Sequence, residues 1–200
     1  MGKVIAEISM SADGIVAGPD TSTEHRLGKD GDLLHGWLFE GTDADAEVGR
    51  RLFDGTGAFV VGRSMFDVGV DPWGDDGTFK KPVFVVTNRP HEPVVKGPTT
   101  FTFVTDGLES TLQQAKAAAG DDNVMLMGGG TTLRQFLLAG LVDELRLHVV
   151  PLLFGAGVRL FDAETGRHVR LERTAVHETP NATHLTFRVR NQLAAVQPAP

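Results

Sequence analysis

Along this chain, apolar positions switch between continuous or alternating runs, as in strands, and runs spaced three or four apart, as in helices. Lys3 to Met10 is apolar and β-prone, and it leads into Ser11-Ala12-Asp13-Gly14, whose Asp-Gly pair signals a turn before the short apolar run Ile15-Val16-Ala17. Gly18 to Gly41 is rich in Gly, Asp and Thr and reads as a loop with one apolar knot, Trp37-Leu38-Phe39. Loops this long usually carry function or motion, so substrate contacts are expected there. Thr42-Asp43-Ala44-Asp45 sets a hydroxyl three residues before a carboxylate, as in a capping box, and Ala46, Val48, Leu52 and Phe53 follow at roughly helical spacing. A helix is expected over 43–54.

Ala58-Phe59-Val60-Val61-Gly62 and Pro82-Val83-Phe84-Val85-Val86-Thr87 are apolar without alternation, which suits parallel strands covered on both faces. A further strand is expected from Thr99 to Thr105, and a helix from Leu108 to Ala119 with Leu108, Leu112 and Ala115 on one face. Val124 to Met127 reads as a strand, Thr131 to Ala139 as a helix stopped by Gly140, and Glu144 to Val150 and Val169 to Arg190 as long strands. His184-Leu185-Thr186-Phe187-Arg188-Val189 alternates as an antiparallel edge strand facing water would. The succession predicts an α/β fold: a mostly parallel sheet with helices on both faces and an antiparallel C-terminal strand pair.

Chemistry concentrates where the strand ending at Met127 breaks into Gly128-Gly129-Gly130 and enters a helix. Missing Cβ atoms let backbone approach an anion, and the unpaired N–H groups of the first helical turn point at it. The dinucleotide fingerprint G-x-G-x-x-G is not complete, because Leu133 stands where the third glycine would be. A tight turn explains the triplet as well as a phosphate cradle does.

The 200 residues, 41% of them hydrophobic, are read as one domain over 1–190 with a tail at 191–200 that ends in Pro-Ala-Pro. A formal charge of −7 and the lack of any Lys/Arg run argue against a nucleic-acid partner. No apolar run reaches membrane-spanning length, and there is no cysteine, so a cytoplasmic protein is expected. The seven histidines show no H-x-x-x-H spacing, so no metal site is expected, and the acidic residues read as solvated faces.

Taken in order, Ser11-Ala12-Asp13-Gly14, Val61-Gly62-Arg63-Ser64-Met65-Phe66, Val85-Val86-Thr87-Asn88-Arg89-Pro90, Met127-Gly128-Gly129-Gly130-Thr131-Thr132-Leu133 and Gly140-Leu141-Val142-Asp143-Glu144-Leu145 resemble the dihydrofolate reductase-like superfamily. The similarity is greatest to the C-terminal reductase domain of the bifunctional deaminase-reductase of riboflavin biosynthesis and its stand-alone bacterial relatives, and Pro151 to Phe161 resembles that branch. It covers residues 3–190. The resemblance implies an NADPH-dependent reductase acting on a small heterocyclic or sugar-derived acceptor, and a homodimer formed through strands near 144–162.

Residue by residue, the resemblance sets Gly62, Arg63 and Ser64 at the coenzyme's 2′-phosphate, with Thr87, Asn88 and Arg89 as a second wall. A guanidinium offers paired donors that suit phosphate oxygens. Gly128, Gly129, Gly130, Thr131 and Thr132 would hold the pyrophosphate with Leu133 packed beside them, and Val16 and Ala17 would line the nicotinamide. Asp13 would border nicotinamide and substrate, with Asp13 or solvent as the proton source; turn chemistry explains Asp13 equally well. Asp45 is a rough counterpart of the acidic residue that binds the pterin in dihydrofolate reductases, although capping also explains it. Trp37 could stack on a heterocycle or simply anchor its loop.

Met127 departs from the pattern. Riboflavin-pathway reductases carry a glutamate there that contacts substrate, and methionine cannot replace its hydrogen bonds. That departure points away from the ribosylamino-pyrimidine and toward a flatter or more apolar acceptor. Direct riboflavin-pathway reduction and a non-catalytic nucleotide-binding or drug-binding module remain as alternatives.

Overall fold

Strand side chains alternate between the two faces of a sheet, and here each face has its own apolar set. In β3 (Thr56–Gly62) and β7 (Asn123–Met127), Ala58, Val60, Val124 and Leu126 point one way, while Phe59, Val61, Met125 and Met127 point the other. In the computed structural model, which describes residues 2–22, 24–76, 78–161 and 168–190, helices cover both sets. The tail expected over 191–200 lies outside the described residues.

Helices α4 (Leu108–Ala119) and α5 (Gly130–Leu138) cover the first face, where Leu112, Ala115, Leu133, Phe136 and Leu137 join Val60, Val124 and Leu126. Helix α3 (Arg63–Gly69) covers the second, with Phe66 packed beside Phe59, Val61, Phe79 and Phe101. Further along that face, Leu34 and Trp37 pack with Val150, and Val48 of α2 (Asp43–Arg50) closes over them.

Among the described residues the main sheet has nine strands. Strand β1 (Val4–Ser11) lies inside it, parallel to β7 on one side and to β8 (Glu144–Val150) on the other. From β7 the parallel run continues through β3, β4 (Val83–Val86) and β6 (Thr99–Val104), and ends on the antiparallel edge β5 (Val94–Lys96). Beyond β8 come β11 (Thr183–Arg190) and then β10 (Arg170–Glu178), both antiparallel to their neighbours. Strand β2 (Ile15–Ala17) pairs separately with β9 (Val158–Arg159).

Several expectations change. Strand β11 is not an edge: it is inserted between β8 and β10, and its polar position His184 is buried. Alternation alone cannot tell an edge from an inner strand when buried polar groups are paired. The stretch 18–41 is not all loop, since Gly31–His35 forms a 3₁₀ turn and Gly36–Phe39 a helical turn, α1. The helix at 43 begins with the expected Thr42/Asp45 capping box but ends at Arg50 and unwinds into turns. Helix α3 had no periodic signal, because seven residues span barely two turns.

Candidate active site

Strand β7 ends at Met127, level with Glu7 of β1, and the chain turns through Gly128 and Gly129, whose φ values are 60° and 69°. Backbone in that region favours glycine. A Cβ on Gly130 would lie 2.6 Å from Cγ2 of Val16, one on Gly128 would collide with Sδ of Met65, and one on Gly62 with Oγ1 of Thr132. These close approaches gather β2, the end of β3 and α3 around the N-terminus of α5. Among the described residues no side chain caps α5. The Leu133 N–H is taken by Gly129 O at 3.1 Å. The Leu133 side chain is fully buried in the core, so it packs inside the protein and only its backbone belongs to the turn.

Arg63 opens α3, and its Nε donates to Oδ1 of Asp67 one turn later at 2.7 Å. Arg89, just past the end of β4, donates through Nη2 to Oδ2 of the same carboxylate at 3.2 Å. The Arg63 guanidinium also lies over the Phe103 ring, 5.4 Å from its centroid. The Arg89 N–H donates to Oγ1 of Thr87 at 3.0 Å, which fixes the bend after β4. The two expected phosphate-binding arginines are therefore brought together, and Asp67 is the residue that sequence reasoning missed. Its only signal was the i,i+4 spacing from Arg63.

Asp13 is a fastener. The Ser11 hydroxyl donates to its Oδ1 at 2.5 Å, the Phe154 N–H to Oδ1 at 3.0 Å, and the Gly155 N–H to Oδ2 at 2.8 Å. The Ser11 hydroxyl above all, then the two amides, pull the carboxyl down to about 2. Arg159 adds a bond from Nη1 to the Asp13 carbonyl at 2.8 Å. Together these tie the turn after β1 to the 151–159 segment.

Asp45 is buried, and its Oδ2 accepts from the Thr42 N–H and hydroxyl and from Nδ2 of Asn181, at 2.8, 2.7 and 2.8 Å. Burial would raise its pKa, but hydrogen bonds from Thr179, Thr42 and Asn181 outweigh it and hold the group below the usual carboxylate range. Trp37 is buried too, its indole N–H donating to Ser9 Oγ at 3.0 Å and its ring 4.6 Å from His148 and 4.8 Å from His184. Met127 is half-buried against the cluster around Phe59.

Between α2 and the sheet face of β1, β8, β10 and β11 lies a hollow of 410 Å³, lined by Glu7, Arg146, His148, His177 and His184, with Glu47 and Arg51 opposite. Glu7, His148 and His184 are buried, so these groups are not the solvated face expected of the acidic residues. Their signal was a carboxylate and an imidazole interrupting apolar strands. Among the described residues, no group of three or more His, Cys, Asp or Glu could hold a metal ion, and no helix is long and apolar enough to cross a membrane.

The RibD C-terminal domain family matches this chain over residues 2–185. A crystal structure of a putative riboflavin biosynthesis protein from Shewanella sp. PV-4 is 26% identical with a TM-score of 0.70, covering 94% of this chain and 99% of that one. The uncharacterized protein YyaP of Bacillus subtilis (strain 168) is 25% identical over 159 residues, 80% of each chain. Dihydrofolate reductase from Enterococcus faecalis, solved with NADP(H) and RAB-propyl, shares the fold with a TM-score of 0.53 at 14% identity, over 94% of this chain and 96% of that one.

Proposed function

This chain belongs to the RibD C-terminal domain family, and from that premise we propose that it is an NADPH-dependent reductase of a C=N or C=O bond in a small heterocyclic or sugar-derived acceptor. The observation that carries the reading is the convergence of Arg63 and Arg89 on Asp67, on the helix whose Met65 abuts the glycine turn. Two guanidiniums held at the ends of adjacent parallel strands suit a phosphate monoester. The coenzyme also fits the turn itself, where side chains at Gly128 and Gly130 would collide with Met65 and Val16 and the N–H groups of a first helical turn suit an anion. Gly128 to Thr132 would hold the pyrophosphate, and Arg63, Ser64, Thr87, Asn88 and Arg89 the 2′-phosphate.

Bound NADPH supplies the hydride. The protein's part is to hold donor and acceptor in register and to keep a proton at hand. Asp13, with a pKa near 2 and both oxygens engaged, keeps the 151–159 segment in place and does not supply that proton. Met127, in place of a carboxylate, disfavours the ribosylamino-pyrimidine as acceptor. The reading includes a cytoplasmic homodimer formed through strands near 144–162.

A thermal-shift comparison tests the coenzyme. A ligand that binds only the folded state raises its midpoint by mass action, so NADPH is expected to shift it well beyond NADH at equal concentration. Equal shifts would refute the 2′-phosphate assignment.

A further inference from the structure

The two segments that carry Arg63 and Arg89 are joined by a ring as well as by the Asp67 carboxylate. Phe103 stands near the end of β6, half-buried, beside Val85 of β4 in the register of the sheet. Two side chains of α3, three residues apart, meet it. The Arg63 guanidinium carbon lies 5.4 Å from its centroid, and the Phe66 ring packs edge-on at 4.9 Å and 84°. From the segment after β4, which also carries Arg89, the His91 imidazole packs on the same ring at 4.5 Å. Phe66 is buried and makes a second edge contact with Phe101, so Phe103 rests on the core.

A guanidinium is flat, and its plane is set only when both an edge and a face are held. For Arg63, Oδ1 of Asp67 takes the edge at Nε, and the Phe103 ring takes the face. The negative face of an aromatic ring attracts a cation, which an aliphatic side chain of similar reach does not. The Arg63 side chain is 20% exposed, against 63% for that of Arg89, so Arg63 is the ordered member of the pair. Among the described residues no hydrogen bond engages its Nη1 or Nη2. An arginine held in this way keeps two parallel donors for one anion, and little side-chain freedom is left to lose when the anion arrives.

We infer that Phe103 is a positioning residue for coenzyme choice: it holds the Arg63 guanidinium for the 2′-phosphate and so sets the preference for NADPH over NADH. This rests on the coenzyme reading above. A phenyl ring has no hydrogen bond to offer a phosphate, so its whole effect passes through Arg63.

Dissociation constants of NADPH, NADH and 2′,5′-ADP, read by calorimetric titration, test this without any acceptor. Phe103→Leu and Phe103→Met keep an apolar side chain and remove the ring. Either one, once folded, is expected to weaken NADPH and 2′,5′-ADP about fivefold while NADH stays within about twofold. Phe103→Tyr keeps the ring and should hold the NADPH preference within about twofold of the unmodified protein. In an Arg63→Ala background, Phe103→Leu should change NADPH binding by less than about twofold, because the residue through which it acts is gone. A packing role alone would lower thermal stability and leave the coenzyme preference untouched.

An unchanged preference in the ringless variants, or a loss in Phe103→Tyr as large as theirs, overturns the inference. So does an effect of Phe103→Leu that persists without Arg63. If the unmodified protein binds the two coenzymes equally, or binds neither, the coenzyme reading itself has failed and the inference falls with it.

Discussion

Arg63 and Arg89 meet on a single carboxylate, with Oδ1 of Asp67 taking one guanidinium and Oδ2 the other. Arg63 uses Nε for this contact, so its two terminal nitrogens take no part in it. Loss of Asp67 would free both side chains, and ordering them again on binding costs affinity. Asp67→Ala is expected to weaken NADPH about tenfold while leaving NADH within about twofold, and Arg63→Ala to remove most of the preference. Dissociation constants for the two coenzymes check both outcomes; an Asp67→Ala variant with tighter NADPH binding would show that the carboxylate competes with the phosphate.

The glycine turn separates backbone strain from site chemistry. Gly129 and Gly74 both have φ near 70°, and a Cβ on Gly74 meets nothing within 4 Å. Alanine at either position is expected to cost about 1–2 kcal/mol of stability from the left-handed backbone. Only Gly129→Ala should also weaken NADPH. Denaturant unfolding beside coenzyme titration distinguishes the two; equal coenzyme loss in both would refute a local role for the turn.

Acid should destabilise the protein in two stages. The folded pKa of His184 is about 4, against 6.5 for an ordinary histidine, and His35 is also lowered by burial. The unfolded chain therefore takes up protons that the folded one refuses, and stability falls as pH drops from about 6.5 to about 4. Asp13, lowered from 3.8 to about 2, adds stability above its unfolded value that is lost as pH falls further, and Asp45 acts in the same direction. Calorimetry across this range should show both stages, with the first reduced but not abolished in His184→Gln.

Asp13→Asn tests the fastener. An asparagine presents an NH₂ group to one of the two amides that Asp13 now accepts, so the 151–159 segment should loosen. Faster limited proteolysis there than in the unmodified protein is the expected result. Unchanged proteolysis would show that other contacts hold the segment.

Leu133→Ala removes a fully buried side chain from the core beneath α5. About 2–5 kcal/mol of stability should be lost, measured by denaturant unfolding, with coenzyme affinity of the folded protein nearly unchanged. A large affinity loss at full folding would mean that the side chain shapes the turn directly.

Local sequence by itself determined the elements whose signals lie within a few residues: the apolar runs of β1, β3, β4 and β7, the Thr42/Asp45 capping box, and the glycine turn into α5. Period and backbone sterics act over such short distances, so they can be read directly from residue order. Only the tertiary structure decided that β11 lies inside the sheet, that Asp67 gathers two arginines, and that Glu7, His148 and His184 share a buried chain. Those partners come from strands and helices far apart in sequence, and a buried charge is tolerated only where folding supplies its partner. Nothing near Glu7 in the sequence names His148; the pairing of β1 with β8 brings them together.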